Sequence, residues 1–333
     1  MQNLLDPAIL FFVFGVLAGA LRSNLEIPPP ISKFLSLYLL MALGLKGGFA
    51  LAQSGLSASV ALSLAAAVLM AFLVPTLGYL YLRRQASGFD AAAIAAAYGS
   101  VSAVTFVTAL QYLESTGLAF GGHMAVAMVL MESPAILMAV LLANTLRQKQ
   151  AVAPVAGQMP SASSTTPSLS LGRILHESFT DGAHLLLIGS MAVGYLSGEA
   201  GKAVMQPFSG DLFKGMLAFF LLDMGLLVAR NLSSLQVASP ALLAYAVIGP
   251  VVHAGLALGL SLLLSLPAAD AALLMVLSAS ASYIVVPAVL RYAVPEANPA
   301  LYFGLSLGIT FPLNLIVGIP TYTMLAVKVL GAA

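Results

Sequence analysis

The chain has 333 residues, of which 60% are hydrophobic and only 8% charged, and a formal net charge of +1; its mean hydropathy is +1.02. No soluble domain carries that balance on its surface, so the sequence reads as an integral membrane protein. It has no cysteine, which excludes disulfides and thiolate metal sites, and it carries no nucleic-acid or calcium-loop motif.

Apolar stretches of about 20 residues, the length a helix needs to cross a ~30 Å hydrocarbon core, recur between short polar turns. A β-barrel would instead show weak ten-residue alternations. The first stretch, at 7–22, has no Lys or Arg before Arg22 and so reads as a span, not a cleavable signal. Further spans are predicted at 31–52, 57–82, 90–113 and 119–145, then at 176–197, 213–231, 238–265, 270–291 and 299–328. Between the two sets lies "RQKQAVAPVAGQMPSASSTTPSLSLGR", too rich in Ser, Thr, Pro and Ala to pack. The expectation is an all-α polytopic fold: a five-helix repeat over 1–146, a flexible cytoplasmic linker over 147–173, and a second, inverted repeat over 174–333.

With the linker cytoplasmic, that side carries Arg22, Lys33, Arg83, Arg84, Arg147, Lys149, Arg173, Arg230 and Arg291, leaving Lys46, Lys202, Lys214 and Lys328 for the other. Both termini then lie outside. The two halves read as one unit written twice. "DAAAIAAAYGSVSAVTFVTALQY" from Asp90 aligns without gaps on "DAALLMVLSASASYIVVPAVLRY" from Asp270, "YLLMALGL" from Tyr38 on "FFLLDMGL" from Phe219, and Pro134 on Pro312; Asp6 and Gly19 meet Asp181 and Gly194. An odd number of spans per unit turns the second copy upside down, the architecture of secondary transporters.

The polar clusters Gly99, Ser100, Ser102 and Ser278, Ser280, Ser282 fall near the middle of spans four and nine. Serine caps and glycine let a helix stop and restart in a low-dielectric setting, so both spans are predicted to be discontinuous. Inverted symmetry aims both second half-helices, N-terminus first, at the midplane, and their N-H groups and dipoles make a small-anion site. The substrate residues expected are Gly99, Ser100, Val101, Ser102, Ser280, Ala281 and Ser282. Gly15 and Gly19, Gly255 and Gly259, and Gly304 and Gly308 read as close helix contacts.

Glu132 lies midway through span five, with Thr310 and Asn314 at the matching depth of span ten. A carboxylate there costs ~2.5 to 3.5 kcal/mol on insertion scales and needs a partner. Sodium, a hard cation, suits the oxygens of Glu132, Thr105, Ser278, Thr310 and Asn314. Na+ is the coupling ion and no other metal or cofactor is expected. Asp223 and Lys46 are expected to form a structural ion pair, and His253 to be a satisfied core residue. The serines are duplicated where a nucleophile would be single, which argues against an intramembrane protease and against an enzyme at all. Other readings of the same architecture are an organic-anion symporter or a Na+/H+ antiporter; outside transport, a regulatory membrane binding protein.

"LGLKGGFAL", "YGSVSAVTF", "SPAILMAVLLAN", "GPVVHAG", "PEANPALY" and "ITFP" together resemble the sodium-dependent bicarbonate transporter family along essentially the whole chain. The run after the span-nine serines, Tyr283 to Pro287, and Glu132 in place of Asp depart from the cyanobacterial pattern and suggest a non-cyanobacterial branch. The resemblance implies a gate and a core part and an elevator-like import of bicarbonate with Na+. It further implies a homotrimer in the lipid of a bacterial inner membrane and a cytoplasmic PII-like regulatory partner.

Overall fold

The computed structural model describes residues 6–55, 57–152 and 182–331. Among these residues all regular structure is helical. The helices are α1 (Pro7–Ala20), α2 (Pro29–Ser54), α3 (Ala58–Leu82), α4 (Gly88–Gly99), α5 (Ala103–Ser115), α6 (Met124–Val152), α7 (Gly182–Gln206), α8 (Leu212–Asn231), α9 (Pro240–Leu263), α10 (Ala268–Ala279) and α11 (Val285–Ala293). The last, α12 (Pro299–Leu330), includes π turns at Ser306–Thr310 and Asn314–Gly318. Seven stretches are long and apolar enough to cross a membrane. One of them, Leu185–Asn231, contains both α7 and α8.

Local chemistry starts these helices where they start. Asp6, Ser57, Ser87, Ser102, Ser239 and Asn298 each accept a hydrogen bond from a first-turn N-H, and Pro7, Pro29, Pro240 and Pro299 stand at or next to the first helical position, where a missing N-H costs nothing. The predicted linker begins later than expected. Residues 147–152 continue α6, and Arg147 holds that end to Glu296 at 2.7 Å and to the Ala293 carbonyl at 3.0 Å. The hydrogen bond from Arg147 also keeps the Glu296 carboxyl below the usual carboxylate range. The rest of the linker, through Arg173, lies outside the described residues, as does the start of the predicted sixth span with Asp181.

The helices sort into two bundles. In one, α1 lies along α8 and α2 along α7; in the other, α3, α4 and α6 pack together, as do α9, α10 and α12. Contact without side chains holds the first bundle. A Cβ on Gly225 would overlap the Phe12 carbonyl, and one on Gly44 would stand 2.5 Å from the Leu187 carbonyl. Gly19 faces Ala229 and Gly48 faces Gly194 in the same way. These contacts exchange under the sequence repeat: Gly44 aligns with Gly225, and the offset joining Gly19 to Gly194 joins Phe12 to Leu187. Gly15 likewise packs on Gly225, as expected. Gly255 and Gly259 do not pack: nothing lies within 4 Å of a Cβ there, because that face of α9 points away from the protein.

The second bundle contains the breaks. Ala91 to Ala97 of α4 are almost wholly buried, their short side chains letting α3 and α6 close around them. The helix stops at Gly99, where a Cβ would lie 2.6 Å from the ring of Pro75, and resumes at Ala103. On the other side α10 stops at Ala279 and α11 starts at Val285. Asp90 and Asp270, at the outer ends of these interrupted helices, accept from the N-H groups of Asn298 and Gly121, both at 2.7 Å, so each half pins a loop of the other.

Gly225→Val forces a branched side chain into the Phe12 backbone. It is expected to lower stability by at least ~1 to 3 kcal/mol, the usual cost of overpacking. A denaturant titration in micelles measures this, and a wild-type midpoint would contradict the packing described.

Candidate functional site

The two interrupted helices cross where they are broken, and their freed backbone groups satisfy one another. The Ser282 N-H donates to the Ala97 carbonyl at 2.8 Å. The Ser102 N-H donates to Ser280 Oγ at 3.0 Å, and that hydroxyl donates in turn to the Leu277 carbonyl at 2.8 Å. Ala97 and Leu277 occupy equivalent places in the repeat, so one strand crosses directly and the other through a serine hydroxyl. Asn314 Nδ2 closes the end of α10 by donating to the Ala279 carbonyl at 2.7 Å. Tyr98 donates to Thr310 Oγ1 at 2.6 Å, and the Thr310 hydroxyl donates to the Ala246 carbonyl at 2.8 Å. Thr310 and Asn314 sit in the π turns that flank Pro312, where the helix winding loosens to accommodate the missing N-H.

Beside the crossing is a cavity of about 80 Å³. The first turns of α5 and α11 form one wall, with Val101, Ser102, Ser282, Tyr283 and Val285, and Glu132 of α6 lies on it too. Ser36 and Leu40 of α2 and Leu187 of α7 line it as well, so both bundles contribute to the cavity. Ser102 Oγ accepts from the N-H and the hydroxyl of Thr105, and Ser282 Oγ accepts from the Val286 N-H. First-turn N-H groups without an acceptor in their own helix, together with the positive end of its dipole, suit an anion here.

The predicted residues therefore separate. Val101, Ser102, Ser282 and Glu132 line the cavity; Gly99, Ser100, Ser280 and Ala281 lie in the crossing behind it, and so do Ser278, Thr310 and Asn314. Behind the cavity three buried oxygens have no hydrogen-bond partner among the described residues: Ser100 Oγ, Ser278 Oγ and Asn314 Oδ1. No three His, Cys, Asp or Glu side chains converge among the described residues, so any cation held here would rest mainly on hydroxyl, amide and carbonyl oxygens. Sequence reasoning marked the run from Tyr283 as a departure from the family pattern but did not count Tyr283, Ile284 and Val285 among the binding residues, although a helix restart exposes its first-turn N-H groups just after the capping serine.

About 9 Å further along α2, six residues on from Leu40, a vestibule of about 810 Å³ is lined by Lys46, Gln53, Glu114, Lys202, Asp211 and Lys214 among others. Lys46 Nζ pairs with Glu114 at 2.9 Å and lies 4.2 Å from the Phe213 ring centroid. The expected Lys46–Asp223 pair is thus not formed. Asp223 stands ten residues, about 15 Å, beyond Phe213 on α8, near the Ser32 hydroxyl and Arg230. His123 Nε2 is 3.7 Å from Asp270. His253 is buried but not satisfied, for its Nδ1 has no partner among the described residues.

No curated protein matches the chain. Residues 7–327 match the family described as the Na+-dependent bicarbonate transporter superfamily, a family of transporters and not of enzymes. With a match over nearly its whole length, this membrane-embedded chain of apolar helices and crossed helix breaks belongs to the Na+-dependent bicarbonate transporter superfamily.

Proposed function

We propose that the protein is a Na+-coupled symporter that imports bicarbonate by an elevator-like movement of one bundle against the other. The observation that carries this reading is the cavity in which the N-terminal turns of two interrupted helices meet beside a buried carboxylate. The anion sits against Ser102, Ser282 and the first-turn N-H groups of α5 and α11. A volume of about 80 Å³ favours a small anion over the organic anions that this architecture also suits. Neither Lys nor Arg lines the cavity, which lets the anion leave as well as bind.

Sodium is the second substrate. Glu132, with hydroxyls of the crossing, offers hard oxygen donors on the cavity wall, while Ser278 and Asn314 hold unpartnered oxygens behind it. A cation placed among them neutralises the carboxylate and strengthens the field felt by the anion, so each ion raises the affinity of the other by the same factor.

The same reading counts ten spans in two inverted repeats, taking α4 with α5 and α10 with α11 as single interrupted spans. The exchangeable glycine contacts of α1 with α8 and α2 with α7, and the reciprocal loop anchors of Asp90 and Asp270, support it. In this view α1, α2, α7 and α8 are the gate and the remaining helices the core. The cavity wall supplied by both bundles fits a substrate carried past a fixed gate. By resemblance the proposal extends to a homotrimer in a bacterial inner membrane with both termini outside, and to a cytoplasmic PII-like regulator.

Labelled bicarbonate uptake into proteoliposomes is expected to rise with an inward Na+ gradient; uptake indifferent to Na+ but driven by a pH step would overturn the coupling. Glu132→Gln is expected to raise the Na+ concentration for half-maximal uptake about tenfold, equivalent to ~1.4 kcal/mol, and wild-type Na+ dependence in that variant would remove Glu132 from the ion path. Ser280→Ala strands the Ser102 N-H and is expected to cost ~1 to 3 kcal/mol of stability. Ser278→Ala, which removes an unpaired hydroxyl, should leave the unfolding midpoint near wild type while weakening Na+-dependent uptake. Equal midpoints for the two alanine variants would refute the serine relay.

A further inference from the structure

A second cavity, of about 370 Å³, lies on the outer face of the core between α3 and α9. That size is in the range of small-molecule sites, roughly 300 to 1,000 Å³. Its mouth is apolar and faces away from the protein: Leu77, Tyr81, Ile248 and Val252 are between 40% and 59% exposed. In a membrane protein such a face meets hydrocarbon, and lipid tails alone would cover it. Its floor is different. Tyr245 and His253 line the cavity and are more than nine-tenths buried, yet the Tyr245 hydroxyl and His253 Nδ1 have no hydrogen-bond partner among the described residues.

Two unpaired polar atoms at the end of an apolar groove are costly where no water reaches. Saturated lipid chains relieve neither. The walls add a shape requirement, because the rings of Tyr81 and Tyr245 stack with centroids 5.7 Å apart and planes 15° from parallel. A flat ring extends that stack, whereas a flexible chain does not. Gly78 also belongs to the site: its missing side chain makes room for the Tyr245 hydroxyl, which a Cβ there would approach to 2.6 Å.

We propose that this groove is a binding site for a bilayer-dissolved amphiphile made of a flat ring with a hydrogen-bonding ring oxygen, of the quinone type. The ring lies against Tyr81 and Tyr245, and its oxygen accepts from the Tyr245 hydroxyl and the His253 ring N-H. The site is tied to the helix crossing. The Tyr245 ring is 5.0 Å from that of Tyr98, which donates to Thr310, and Thr310 donates to the carbonyl of Ala246, the residue following Tyr245. An occupant therefore presses on the residues that brace the broken helices.

The test uses the full chain in lipid nanodiscs, with thermal unfolding followed as decylubiquinone is titrated and dodecanol, which has the oxygen without the ring, as its counterpart. Decylubiquinone is expected to raise the midpoint saturably and dodecanol to leave it unchanged. The double variant Tyr245→Phe with His253→Leu, which keeps the bulk and removes both polar atoms, should abolish the shift. Tyr245→Phe alone keeps the ring and should weaken the apparent affinity at least fivefold, which serves if the double variant does not fold. No shift in the wild type, equal shifts with both amphiphiles, or a wild-type response in Tyr245→Phe would overturn the proposal.

Discussion

Everything distinctive in this fold follows from the need to satisfy backbone groups where no water can reach them. A helix that stops inside hydrocarbon frees N-H and carbonyl groups that cost several kcal/mol each if left alone. Here two helices stop at the same place and answer each other: the Ser282 N-H reaches Ala97, the Ser102 N-H reaches Leu277 through Ser280, and Asn314 closes the last carbonyl of α10. Neither break is tenable without the other. The crossing is thus both the structural solution and the reason that first-turn N-H groups remain beside a cavity to meet an anion.

The position of that crossing was readable from residues alone, because serine and glycine in mid-span have few uses and here they recur in register. Which residues face the cavity was not. Val101, Ser102 and Ser282 line it together with Tyr283 to Val285 just after the cap, whereas Ser100 and Ser280 withdraw into the packing. A sequence pattern locates a helix break to within a turn but does not tell front from back. Charge pairing failed for a similar reason. Lys46 and Asp223 lie on helices that the sequence alignment pairs, yet Lys46 finds Glu114 on α5 while Asp223 stands near Ser32 and Arg230. The glycine pairs divide likewise: Gly15 and Gly19 bury against α8, while Gly255 and Gly259, identical in spacing, face outward, since spacing shows which residues share a face and not what that face meets.

The Lys46–Glu114 pair also differs in kind from the contacts inside each bundle. Bare backbone holds α1 to α8 and α2 to α7, at separations that tolerate no added atom and therefore no sliding. Lys46 on α2 and Glu114 on α5 join one bundle to the other by an ion pair that is 20% and 34% exposed, the type of contact that exchanges for water at little cost. Rigid bundles joined by a replaceable contact are what relative movement requires.

The same contrast bears on where ions enter. The vestibule at the Lys46 end of α2 is wide and carries both signs of charge, whereas the cavity beside the crossing is small and is lined by one buried carboxylate and no cation. In the proposed function an anion passing from one to the other would lose favourable basic side chains and gain fixed N-H groups and a helix dipole in their place. Those groups cannot reorient or follow the ligand, so their strength depends on the geometry of the break, and in the proposed function a cation near Glu132 would make up the remaining charge. Under the proposed function coupling needs no dedicated relay: the anion site would be electrostatically incomplete until sodium is present, and the crossing that creates one site would position the donors of the other.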